Sequence, residues 1–75
     1  MATPTDAAVP RHQHKRHLRA RNAELARAIA RQSGLAHPHV NRELNRLAGV
    51  ERVTEATLEQ LDRRAKVADQ WLAKL

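Results

Sequence analysis

The chain has no cysteine, phenylalanine or tyrosine, and Trp71 is the single aromatic residue among its 75. Without cysteine, neither a disulfide nor a thiolate metal site can form, so the fold must rest on apolar packing and redox chemistry does not constrain the compartment. With one aromatic ring, the stacking of several bases used by many single-strand binders is excluded. No apolar run approaches the roughly 20 residues needed to span a bilayer. The N-terminal MATPTDAAVP has neither the charged start nor the apolar middle of a secretion signal, and the expected location is cytoplasmic. Nothing reads as a β-strand. A chain of this length holds one domain and buries only about 60% of its unfolded surface. Its core must be small, and a multi-part catalytic pocket is not expected. Ser33 and Thr57 are better explained as residues near helix ends than as nucleophiles, and no paired carboxylates stand where a proton would be shared. The chain reads as a non-enzyme without a cofactor.

What is present is positive charge, and it is local. The stretch RHQHKRHLRARNAELARAIAR, residues 11 to 31, holds seven of the fourteen Lys and Arg residues against a single acid, Glu24, an excess equal to the whole formal net charge of +6. A concentrated cationic segment on a small protein suits a polyanion. Arg11, Lys15, Arg16, Arg19, Arg21, Arg27 and Arg31 are the candidate phosphate contacts, DNA being favoured over RNA as the partner. Arginine outnumbers lysine eleven to three, which suits bidentate phosphate recognition and is equally compatible with genomic base composition. A protein partner for this segment and a solvated basic tail with no ligand are the alternatives.

Periodicity predicts an all-α fold, a compact three-helix bundle behind a disordered basic arm at residues 1 to 14. In the first helix, about residues 16 to 32, Leu18, Leu25 and Ile29 fall on one stripe with Ala26 beside them, and Arg16, Arg27 and Arg31 lie opposite. Gly34 is placed to end it in a left-handed conformation. A second helix, about 38 to 48, begins at Pro38 with His37 as its cap, carries Val40, Leu44, Leu47 and Ala48 at helical spacing, and stops at Gly49. A third, about 55 to 73, takes Thr54 as N-cap with Val53 stapled on Leu58. Its seam is Leu58, Leu61, Ala65, Ala68, Leu72 and Leu75, with Glu59 and Arg63, and Asp62 and Lys66, as supporting pairs. Trp71 lies at the seam's edge, one turn from Val67. It either closes the core or, with Val67, forms an exposed anchor for a protein partner.

Ala30, Gly34 and Val40 stand at the A-x3-G-x5-V spacing of helix-turn-helix proteins, in which a small residue permits close approach, glycine turns the chain and a branched residue packs inward. The match is partial, because Ser33 and Glu43 occupy positions that are usually apolar. If the second helix reads bases, His39, Asn41, Arg42 and Asn45 are the candidates, since arginine pairs with guanine and asparagine with adenine. The alternative is an amphipathic helix whose polar residues face water. His12, His14 and His17 lie close in sequence, but no acid or cysteine completes a ligand set and the neighbouring cations oppose a metal, so no metal site is expected.

The run from His37 to Leu72 resembles the small helical module at the C-terminal end of some bacterial superfamily II, DEAD/DEAH-type, DNA helicases. The likeness is carried by HxxVNxELNRxxGV, here His37 through Val50, and by VTEATLEQL, here Val53 through Leu61. It covers about half the chain and implies an accessory role near DNA. It implies no ATPase, because the phosphate-binding GxxxxGK[ST] loop and the other helicase motifs are missing. Two function classes follow: a small nucleic-acid-binding domain, or a helical adaptor docking on a larger replication or transcription protein through Val67 and Trp71. The sequence leaves the oligomeric state open.

Overall fold

In a computed structural model, residues 11–75 are described, with side chains from residue 13 onward. Among the described residues three α-helices follow one another: α1, Arg11–Ser33; α2, His37–Ala48; and α3, Leu58–Ala73. A single 3₁₀ turn, Val53–Glu55, lies between α2 and α3. The architecture is a three-helix bundle with no strand among the described residues. α1 packs chiefly against α3, and α2 closes the third side.

Each boundary has a chemical cause. α1 begins earlier than the apolar period suggests, because residues 11–17 are rich in Arg, Lys and Gln, which favour helix, and contain no breaker. The arm expected at 1 to 14 is therefore helical from Arg11, and its remainder, 1–10, lies outside the described residues. Gly34 ends α1 at φ +79°, donating its N–H to the Ala30 carbonyl at 2.9 Å. Ser33 Oγ accepts the Leu35 N–H at 3.2 Å, which fixes the turn. The cap of α2 is Ala36 and not His37, and its extended backbone leads into Pro38 in the first turn. α2 closes with Gly49 at φ +71°. The Gly49 and Val50 N–H groups reach the Arg46 and Asn45 carbonyls, a Schellman arrangement.

The start of α3 also differs from expectation. Thr57, not Thr54, is the N-cap. Its hydroxyl accepts the Gln60 N–H at 3.1 Å and its own N–H donates to Gln60 Oε1 at 2.9 Å, completing a capping box. The apolar residues flanking that box, Ala56 before and Leu61 after, share one buried cluster, so the staple pair is Ala56 and Leu61 in place of Val53 and Leu58. The first turns of α3 also hold the end of α2. Arg63 Nε donates to the Ala48 carbonyl at 2.9 Å, and Gln60 Nε2 reaches the Gly49 carbonyl at 3.4 Å. The Arg63 guanidinium thus serves the C-terminus of another helix, where orphan carbonyls favour a cation. The Asp62 and Lys66 pair forms as expected at 3.0 Å.

The apolar interior is divided in two. Leu25, Ala26, Ile29, Val40, Leu44, Ala65 and Ala68 form the larger cluster, against which Ala30, Val67, Trp71 and Leu72 pack. Ala48, Val50, Ala56 and Leu61 form the smaller one, with Leu18 and Val53 packed against it. On every helix a polar residue lies along the chain between the two: Asn22 between Leu18 and Leu25, Asn45 between Leu44 and Ala48, Arg64 between Leu61 and Ala65. Asn22 and Arg64 are each only 1% exposed. Arg64 donates Nε to Asn45 Oδ1 at 2.7 Å, Nη1 to Asn22 Oδ1 at 2.9 Å, and Nη2 to Asn41 Oδ1 at 3.0 Å and the Asn41 carbonyl at 3.4 Å. Asn22 Nδ2 in turn donates to the Leu18 carbonyl at 2.8 Å and the Leu61 carbonyl at 3.0 Å. An arginine buried without a carboxylate is thus held by three amide side chains. The described buried side-chain N and O atoms all have a partner. Burial lowers the Arg64 pKa, but a guanidinium starts so far above neutrality that it remains charged.

Candidate nucleic-acid interface

Several cations of the surface are already engaged within the fold. Arg21 Nη2 meets Asp69 at 3.4 Å across α1 and α3. Arg46 Nε donates to Glu43 Oε1 at 3.1 Å, with a second, shorter bond from Nη2 to Oε2. That fork holds the Glu43 carboxyl below the ordinary carboxylate range. It also explains how an acid sits at a position that helix-turn-helix motifs keep apolar: the Glu43 carboxylate is satisfied at the surface and is not packed inward. Arg52 is 3.6 Å from Glu55, and Lys66 is paired with Asp62. Arg63 and Arg64 are engaged at the Ala48 carbonyl and in the interior.

Arg16, Arg27 and Arg31 remain on the outer face of α1, all exposed. None forms an ion pair with a carboxylate among the described residues. A rise of 1.5 Å per residue places Arg27 and Arg31 about 6 Å apart along the axis and Arg16 about 16 Å before Arg27. The row sits opposite Leu25 and Ile29, which anchor α1 to the main cluster. Lys15 and Arg19 are half-buried on the flank of the helix, where long aliphatic stems can lie along the protein while the charge reaches water. The side chain of Arg11 lies outside the described residues.

On α2 the four candidates separate into two pairs. His39 and Arg42 are exposed. Asn41 and Asn45 are half-buried, and the Oδ1 of each accepts from Arg64. Bidentate recognition of adenine needs both ends of the amide, oxygen as well as nitrogen, so these two asparagines are committed to holding the bundle. Val67 and Trp71 are likewise half-buried, packed against the larger cluster. Trp71 closes the core.

Leu35 and His37, neither of which the sequence marked as a binding residue, lie beside the basic row. A shallow depression where α1 turns into α2 is lined by Arg27, Ala30, Arg31, Leu35 and His37. Their signal in the sequence is weak, since it depends on how the turn folds back. No group of three or more His, Asp or Glu residues could hold a metal ion among the described residues, and no described helix is long and apolar enough to cross a membrane. No family model, curated protein or solved structure matches the chain.

Proposed function

We propose that this chain is a small nucleic-acid-binding domain that grips the phosphate backbone with the outer face of α1. One observation carries the reading: Arg16, Arg27 and Arg31 form an exposed row without carboxylate partners among the described residues, while most other arginines are paired or buried. Unneutralised guanidinium groups in a row attract a polyanion and displace its counterions. Exposed His39 and Arg42 on α2 extend the candidate surface. Asn41 and Asn45 have no part in it, so binding is driven by phosphates with little base selection. DNA is the favoured nucleic acid, in keeping with the resemblance of residues 37 to 72 to a helicase accessory module. The activity is binding without catalysis.

Fluorescence anisotropy with labelled duplex DNA, single-stranded DNA and RNA, across a salt series, tests the reading. Three phosphate contacts to duplex DNA correspond to a log–log slope of about −2.7, or roughly a fortyfold loss of affinity between 50 and 200 mM salt. Affinity that does not respond to salt rejects the proposal. The adaptor reading has less to stand on, since Val67 and Trp71 pack on the domain's own core.

A further inference from the structure

The geometry points to a nucleotide-phosphate notch at the α1–α2 turn, in which Arg27, Arg31 and His37 hold a phosphate while Leu35 lies against the attached sugar or base. It deepens the nucleic-acid reading and rests on that reading for its biological ligand, but its chemistry can be tested separately.

Three features single out this place. The first is convergence: Arg27 and Arg31, one turn apart on α1, share a depression with His37 from α2. Donors from two elements surround a phosphate better than a row on one helix does. The second is charge. No carboxylate lines the notch, whereas the neighbouring depression on α1 includes Glu24, and the one beside His14 includes Glu59 and Asp62. An anion therefore meets no opposing charge in its walls here. The third is the wall itself. Leu35 is 39% exposed, and Ala30 lies next to the cations. An apolar surface beside a phosphate site matches a nucleotide, whose sugar and base edge bring carbon to within a few ångströms of the phosphate, better than it matches a bare anion.

The turn is built to keep this arrangement. Gly34 at φ +79° and the Ser33 Oγ bond to the Leu35 N–H fix where Leu35 leaves α1. Arg27 and Arg31 project from a helix anchored by Ile29 in the main cluster. A nucleotide at a strand end, or one splayed from its neighbours, offers both the phosphate and an accessible carbon face. In a continuous duplex the base is stacked away.

The test is an NMR titration of the full chain at constant ionic strength, with deoxythymidine 5′-monophosphate in one arm and inorganic phosphate in the other. Saturable shifts are expected at the Arg27 and Arg31 side-chain N–H groups and the His37 ring in both arms, and at the Leu35 methyls with the nucleotide alone. Arg31→Ala should weaken both ligands by about tenfold. Leu35→Ser should weaken only the nucleotide, roughly threefold. Shifts spread evenly over all exposed arginines, Arg16 and Arg42 included, overturn the notch. So does a nucleotide that behaves like inorganic phosphate with Leu35→Ser silent. Even shifts together with salt-sensitive DNA binding would remove the notch and leave the basic-face reading standing. Localised shifts in a protein that binds no DNA or RNA would do the reverse.

Discussion

Arg64 Nη1 donates to Asn22 Oδ1 at 2.9 Å, joining α3 to α1 across 42 positions of sequence inside the bundle. Neither residue is ordinarily buried, and neither has a carboxylate nearby in this network. Each is tolerated because the other groups of the layer satisfy it.

Removing one member should therefore cost more than removing a matched pair. A folded domain of this size has roughly 4–11 kcal/mol of stability in total. Asn22→Ala leaves an Arg64 donor without its acceptor inside the bundle and should destabilise by about 3 kcal/mol. Arg64→Met should also destabilise, because it orphans the Oδ1 atoms of Asn22, Asn41 and Asn45. Combining Arg64→Met with Asn22→Ala should cost less than the two single losses added together. Urea denaturation of the four proteins in this cycle measures the coupling, and additive costs would show that the two residues do not act together.

The two threonines at the start of α3 provide a sharper contrast. Thr57→Ala removes the hydroxyl that caps the Gln60 N–H and should lower stability by about 1 kcal/mol. Thr54→Ala, in the exposed 3₁₀ turn, should change the denaturation midpoint little.

At the α1–α2 turn, Gly34 has φ +79°, and a Cβ added there meets nothing within 4 Å. Gly34→Ala should thus cost about 1–2 kcal/mol through backbone conformation alone. Thermal denaturation should show a lowered Tm with the helical circular dichroism of the folded state intact.

For the basic face, Arg16→Ala, Arg27→Ala and Arg31→Ala introduced together should weaken binding to duplex DNA and flatten the salt slope by nearly three units. Fold stability should stay within about 0.5 kcal/mol of the parent, since all three side chains are exposed. Anisotropy and denaturation on the same preparation separate the two effects. An unchanged slope would place the binding surface elsewhere.

Much of this fold is written locally. Leu18, Leu25 and Ile29 mark the buried stripe of α1, and Gly34 and Gly49 mark the ends of α1 and α2, because a left-handed residue is a local requirement. The start of α3 was legible too, through a different signal. Thr57-x-x-Gln60 can close a capping box, whereas Thr54 is followed three residues later by Thr57, which has no acceptor amide to offer its N–H. The start of α1 was less legible, because apolar spacing records where a helix is buried and not where it begins. Asn22 left a trace, lying within about 20° of Ile29 on the helical wheel. Arg64 could not be placed in the same way, since its burial requires three asparagines from two other helices to arrive together. For the same reason Asn41 and Asn45 read as outward-facing from the sequence. The row of Arg16, Arg27 and Arg31 was visible from periodicity alone, while the depression beside it depends on how the turn returns the chain.

The amide-lined arginine also sets the alignment of the bundle. Five of the eleven buried apolar residues among those described are alanines, and such smooth contacts would let a helix slide along its neighbours by one turn at small loss of packing. A shift of that size, about 5.4 Å, would carry the guanidinium out of reach of all three asparagines and strand a charge among aliphatic side chains. Sliding is therefore penalised far more heavily than the alanines alone would penalise it. The spacing between the exposed cations of α1 and those of α2 is held by a lock in the interior.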